Sequence, residues 1–159
     1  ALPIESVEKE LKGFELFKGK TIVKCTGENN EGVVRVSVKD LGTLSNSTDE
    51  ISLSIIDFKR DLPVFEIHKE HAVDRALETI GVQDIDFNGF DDFSSEYIIT
   101  GHNETLVRTF FTNEVINVFN KHGDYLMESN GSKILLYTYS LNKNDNELFS
   151  LKDELIDIV

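Results

Sequence analysis

Tryptophan is absent from this chain, cysteine and methionine occur once each, and proline twice. The single cysteine, Cys25, excludes an intrachain disulfide and fits a reducing compartment. No run is long or apolar enough to span a bilayer. Ala1–Lys12 is charged and amphipathic, without the apolar stretch of a signal peptide. Positive charge is scarce too: 16 Lys and Arg stand against 29 Asp and Glu, a net charge of −13. Such a surface repels nucleic-acid backbones and anionic membranes, so neither is expected as a partner. Cations or basic protein surfaces suit it better, although acidity also serves simply to keep molecules apart. There is no phosphate loop, dinucleotide fingerprint, nucleophile elbow or HExxH-type zinc motif. Internal repeats, low-complexity segments and long linkers are missing as well. The 159 residues are therefore read as one domain, 1–159.

What is present is apolar weight, concentrated in phenylalanine. Hydrophobic residues make up 40% of the chain and eleven are Phe, a side chain that packs and does no acid–base chemistry. The stretch Phe90–Tyr139 organises the rest. Glu96–Thr100 is short, β-branched and aromatic, which favours a strand. Asn103 is placed to cap a helix, with Glu104 in its first turn. Leu106, Val107, Phe110, Phe111, Val115, Val118 and Phe119 then fall on one helical face. Thr112–Asn113 divides that run into two shorter helices, because both residues prefer caps to interiors. Gly123 ends it. Asn130–Gly131 predicts a two-residue type I′ hairpin that sets Glu128 opposite Lys133 and Met127 opposite Ile134. Apolar residues on both faces of that hairpin imply cover on both sides.

The remaining chain reads in the same way. Ile4, Val7 and Leu11 space like a short helix closed by Gly13. Phe14–Phe17 and Thr21–Thr26 read as strands. Val34, Val36 and Val38 alternate with polar residues, as do Ile51, Leu53 and Ile55, and the slip at Ile55–Ile56 suggests a bulge. Leu41–Asp49 reads as a polar loop. Pro63 puts Val64–Ile67 at the start of a strand or at an edge. His68–Ile80 shows a helical face of Ala72, Val73, Ala76, Leu77 and Ile80. Val82–Asp92 reads as irregular and acidic, or as holding a short strand at Ile85–Phe87. Leu148, Leu151, Leu155 and Ile158 close the chain in an amphipathic helix. The connections are too short for repeated βαβ crossovers. The expectation is an α+β fold: a mostly antiparallel sheet with two to four amphipathic helices packed on one face.

Few residues suggest chemistry. Asp84, Asp86 and Asn88 with Gly89 match the first half of a calcium-binding EF-hand loop, and Asp92 stands at its ninth position. The twelfth position, which needs a bidentate Glu, is Ser95, and a strand rather than a helix follows. The alternative is a solvated acidic loop with Ile85 and Phe87 turned inward, and calcium is the one cofactor the chain suggests. Asp91 and Asp92 are adjacent, so on an extended chain they point apart rather than sharing a site. Cys25 alternates with Val23 as a core residue does, and no nucleophile context links it to His68, His71, His102 or His122. His68 and His71 lack a third zinc ligand. Asn-x-Ser/Thr triplets begin at Asn46, Asn103 and Asn130, and cap and turn roles account for the last two.

One resemblance stands on residues of the later half. Phe93-Ser94-Ser95-Glu96-Tyr97-Ile98-Ile99, then Gly101-His102-Asn103-Glu104, then Val107-Arg108-Thr109-Phe110-Phe111-Thr112, resembles the soluble domains of uncharacterised bacterial proteins that carry membrane-spanning segments elsewhere. It covers roughly the last third of the chain. It implies a helper domain beside a membrane and no catalytic residues.

These observations lead to an expectation of a non-catalytic protein-binding or scaffolding module that offers a sheet edge or acidic face to a protein partner. The first alternative is a metal-dependent (calcium or magnesium) or hydrolase-like enzyme centred on Asp84–Asp92. The second is a carrier with an apolar cavity under the Phe-rich helices. A cytoplasmic location is expected, with membrane association only through a segment outside this chain. The sequence begins at Ala1 rather than Met, so a longer protein with an upstream leader or anchor is part of that expectation.

Overall fold

A computed structural model describes residues 4–28, 32–40, 48–69, 84–139 and 145–159. Its centre is a seven-stranded sheet. The strands are β1 (Lys20–Glu28), β2 (Val33–Asp40), β3 (Thr48–Ile56), β4 (Val64–Lys69), β5 (Tyr97–Gly101), β6 (Leu126–Asn130) and β7 (Ile134–Thr138). Their order across the sheet is β1-β2-β3-β7-β6-β4-β5, and every neighbouring pair is antiparallel. The helices are α1 (Ile4–Leu11), α2 (Asp91–Glu96), α3 (Glu104–Phe110), α4 (Asn113–His122) and α5 (Asp145–Ile158). The α+β expectation holds, and none of these helices is long and apolar enough to cross a membrane.

The sheet is covered on both faces by two separate cores. On one face, α2 to α5 bury Phe93, Val107, Phe110, Val115, Phe119, Leu148, Leu151 and Leu155 against Ile56, Phe65, Ile67, Ile99, Met127, Ile134 and Leu136. On the other, α1 and the turn behind it place Val7, Leu11, Phe14 and Phe17 on Cys25, Val36, Val38, Ile51, Leu53, Leu135 and Tyr137. Strand alternation makes this possible: Ile134 and Leu136 face one core, Leu135 and Tyr137 the other. All five residues of β7 are buried as a result.

Local chemistry explains the helix breaks. The Asn103 side chain accepts the Leu106 N–H at 3.1 Å and caps α3. Thr112 does the same for α4 through the Val115 N–H at 3.3 Å, so the Phe-rich run is two helices. Gly123, with φ of +57°, ends α4.

Several expectations change in the fold. Phe14–Phe17 is not a strand but a turn of 3-10 helix over Glu15–Phe17. A strand would turn Phe14 and Phe17 to opposite faces, whereas three-residue spacing in a 3-10 turn lets both reach the sheet. The hairpin register is displaced by one residue per strand: Met127 pairs with Leu136 and Glu128 with Leu135. The cause is Asn130, whose side-chain oxygen accepts the N–H groups of Ser132 and Lys133 at 3.0 and 2.9 Å. That holds Asn130 before the turn and leaves Gly131, with φ of +94°, at the first central position, as a type II′ turn requires. Lys133, expected opposite Glu128, pairs with Glu10 at 3.2 Å.

The bulge expected at Ile55–Ile56 is absent, since β3 runs in unbroken register against both neighbours. Ile55 and Ile56 are consecutive apolar residues because β3 is covered on both sides. A register shift occurs instead in β1, between Ile22 and Lys24. Strand β3 begins at Thr48, inside the expected loop, and residues 41–47 lie outside the described residues. Strand β4 starts at Val64, directly after Pro63, the first of the two expected placements, and it sits inside the sheet. His68 and Lys69, expected to start a helix, pair in β4 with Ile98 and Tyr97; the rest of that expected helix lies outside the described residues. Residues 91–96, split between an irregular segment and a strand in the sequence reading, form the short helix α2.

Candidate functional site

The acidic loop is secured through its backbone. Ile85 and Phe87 are 4% and 8% exposed and belong to the larger core, which turns Asp84, Asp86 and Asn88 outward. The Asp84 carboxylate accepts the Ile99 N–H at 3.0 Å, and the Ile85 N–H donates to the Ile99 carbonyl at 2.9 Å. Arg108 donates to the Asp86 carbonyl at 2.7 Å while lying over the Phe87 ring. The Phe87 N–H donates to Ser94 at 3.0 Å. Asp91 and Asp92 occupy the first turn of α2, where the helix dipole favours carboxylates. A shallow depression of about 320 Å³ adjoins them, lined by Gly89, Phe90, Asp91, Asp92, Phe93 and Asn120. Among the described residues, no three His, Cys, Asp or Glu side chains are arranged to hold a metal ion.

The cysteine and histidines are dispersed. Cys25 is buried beneath α1, and burial pushes its thiol pKa upward, away from the reactive thiolate. His68 bonds to Glu66 at 2.8 Å. His122, at the end of α4, bonds to Glu154 of α5 at 3.0 Å. His102 is exposed, and His71 lies outside the described residues. A second depression, of about 340 Å³, lies at the sheet end between Lys69, Asp124, Leu126, Thr138 and Tyr139. Lys69 there sits over the Tyr97 ring and pairs with Glu96 at 2.6 Å.

A polar cluster that sequence reasoning missed lies on the α1 side of the sheet. Glu128 is 4% exposed. Its carboxylate accepts the N–H groups of Glu15 and Leu16, the start of the 3-10 turn. Directly opposite on β4 stands Glu66, the residue that holds His68. Burial is the main influence on Glu128, and with the nearby Glu66 and Glu15 it outweighs the two N–H donors. The carboxyl pKa rises from 4.5 to about 7. Lys18, which pairs with Glu15, is the nearby cation. The cluster anchors the chain after α1 to the sheet. Its only sequence signal is a Glu directly after the apolar run Tyr125–Met127, and nothing local links residue 128 to residues 15 or 66.

The two edges of the sheet differ sharply. At β5, the outward N–H and carbonyl of Ile99 are both taken, by Asp84 and Ile85. That edge is closed by the chain itself. At β1, among the described residues, no strand pairs with the outer side. Nine residues of backbone are presented there, and Val23, at the register shift, is 58% exposed.

The rings under α3 and α4 fill their own space. Phe65 packs on Phe110 and Phe111 at centroid distances of 5.0 and 4.9 Å, and Phe93 on Tyr97 at 5.2 Å.

Comparison with protein-family models, with curated proteins and with solved structures finds no match to this chain, so its function is argued from this geometry alone.

Proposed function

We propose that this chain is a protein-binding module that takes an extended segment of a partner onto the outer edge of β1. The observation that carries this reading is the asymmetry of the edges. A free edge strand is a template for another chain, and folds that have no use for it cover or shorten it. Here β5 is five residues long and capped, whereas β1 is nine residues long and, among the described residues, paired on one side only. Strand addition draws affinity from main-chain hydrogen bonds and specificity from alternate side chains. It needs no cofactor and no converging reactive groups, in keeping with the scattered Cys and His.

The test is a selection of extended peptides against the full chain, followed by amide chemical shifts. Bound peptide is expected to perturb and protect residues 20–28 and their neighbours in β2. Val23→Pro, at the residue outside the β1–β2 register, is expected to abolish binding. Val23→Arg serves as the second variant should the first not fold. Perturbation confined to Asp84–Asp92 or to α4 and α5 would refute the reading.

A further inference from the structure

The open edge carries a charge of its own. Cys25, Val36 and Val38 face α1, so alternate residues of β1 and β2 face the other way. On that side the register sets Thr21 beside Lys39, Lys24 beside Ser37 and Thr26 beside Arg35. β3 extends the three rows with Thr48, Glu50 and Ser52. Lys24 therefore has Lys39 and Arg35 at its two diagonals, positions about 7–8 Å apart in an antiparallel pair. Lys24 and Arg35 are exposed, and Lys39 is half-buried. Glu50 is the one carboxylate in these three rows, whose members besides the three cations are Thr or Ser, and Glu28 lies one row further along β1, beside Val33. Lys152 of α5 stands beside Gly32, where β2 begins. In a protein with a net charge of −13, this is a local reversal of sign next to the edge.

We propose that the segment added at β1 is acidic: an extended stretch of another protein with Asp or Glu at alternate positions. This rests on the β1-edge reading above. A strand paired with β1 places every second side chain on the Lys24 side, where carboxylates meet Lys24 and Lys39. Lys24 and Lys39 are like charges on diagonal positions, and carboxylates set beside them relieve their repulsion. A nucleic acid has no amide backbone to pair with the edge. Its phosphates would also run on past the patch onto acidic surface, within the screening distance of about 8 Å. A short acidic peptide keeps its charge over the cations.

Random decapeptides are selected in parallel against the full chain and against the double variant K24E/K39E. Peptides enriched on the native chain are expected to be net negative and to shift the amides of residues 20–28. They are expected to bind K24E/K39E about tenfold or more weakly, with an affinity that falls as salt rises. Enriched peptides that are neutral or basic, yet still shift β1, overturn the acidic assignment and leave the edge reading in place. Peptides that footprint elsewhere, or no enrichment at all, overturn both. A single-stranded oligonucleotide that displaces the peptide overturns the assignment to protein. Unchanged melting of K24E/K39E separates lost binding from lost fold, and K24Q/K39Q replaces it if the charge reversal unfolds the chain.

Discussion

The Glu128 carboxylate accepts the backbone N–H of Leu16 at 3.0 Å across 112 residues of sequence. One buried acid thus ties the N-terminal segment to the centre of the sheet, with Glu66 opposite it and Glu15 and Lys18 nearby. Folding raises the Glu128 pKa from 4.5 to about 7, so the folded chain holds that proton more tightly than the unfolded chain does. Stability from this group therefore declines as pH rises from 4.5 to about 7 and is level above. At about 1.4 kcal/mol per tenfold in proton affinity, the decline is bounded by about 3 kcal/mol. Glu128→Gln is expected to lack it, gaining on the native chain through that window. Urea midpoints at about pH 5 and about pH 8 check this, and parallel slopes for the two proteins would refute it. Glu128→Ala strands two N–H groups and is expected to lose about 1–3 kcal/mol at either pH.

Gly101 is a test of close packing at β5. A Cβ there would meet Val107 Cγ2 at 2.7 Å and the Val64 carbonyl oxygen at 2.8 Å. The second atom is backbone and does not move aside. Gly101→Ala is expected to cost about 1–3 kcal/mol in denaturant unfolding. Gly27→Ala, with nothing within 4 Å of the added carbon, is expected to stay within about 0.5 kcal/mol. Equal effects at both sites would remove the steric account.

Phe93 joins the ring cluster to the sheet. Its centroid lies 6.1 Å from those of Phe87 and Phe119, 6.5 Å from Phe111 and 5.2 Å from Tyr97. Phe93→Ala is expected to destabilise by about 3–5 kcal/mol, and Phe93→Leu by less than about 1.5 kcal/mol. Thermal and urea melts read both. A native-like Phe93→Ala variant would mean that the rings leave room after all, which would favour a carrier.

Asp84 holds the β5 edge by accepting the Ile99 N–H. Asp84→Ala is expected to speed hydrogen exchange at Ile99 and to lower stability by about 1 kcal/mol. Asp84→Asn, which keeps an acceptor, is expected to restore protection. Titration of calcium into the native chain, with the Ile99 amide as reporter, separates the two roles. A calcium-dependent shift at Asp84, Asp86, Asn88 and Asp92 together would reinstate the ion.

The parts of the fold that were legible in the sequence are those set within a few residues. The Asn103 and Thr112 caps, the Gly123 stop and the alternating valines of β2 depend on neighbours along the chain. The hairpin at Asn130 was legible as a turn, but its register was not. Asn-Gly permits more than one two-residue loop, and the side-chain bonds of Asn130 chose between them. The polar cluster was not legible because Glu15, Glu66 and Glu128 meet through strand order. The capped edge at Ile99 escaped notice for the same reason.

By itself the sequence determined the composition of the interior. Phenylalanine supplies bulk without polar atoms, and apolar residues recur at helical and strand spacing, so an α+β core follows from burial and backbone hydrogen bonding alone. Only the tertiary structure decided which backbone stayed open. Strand order is a matter of long-range pairing, and no local signal records that Asp84 turns back to close β5 while β1, among the described residues, has a strand on one side only. Fold class therefore came from periodicity, and the candidate for function came from topology.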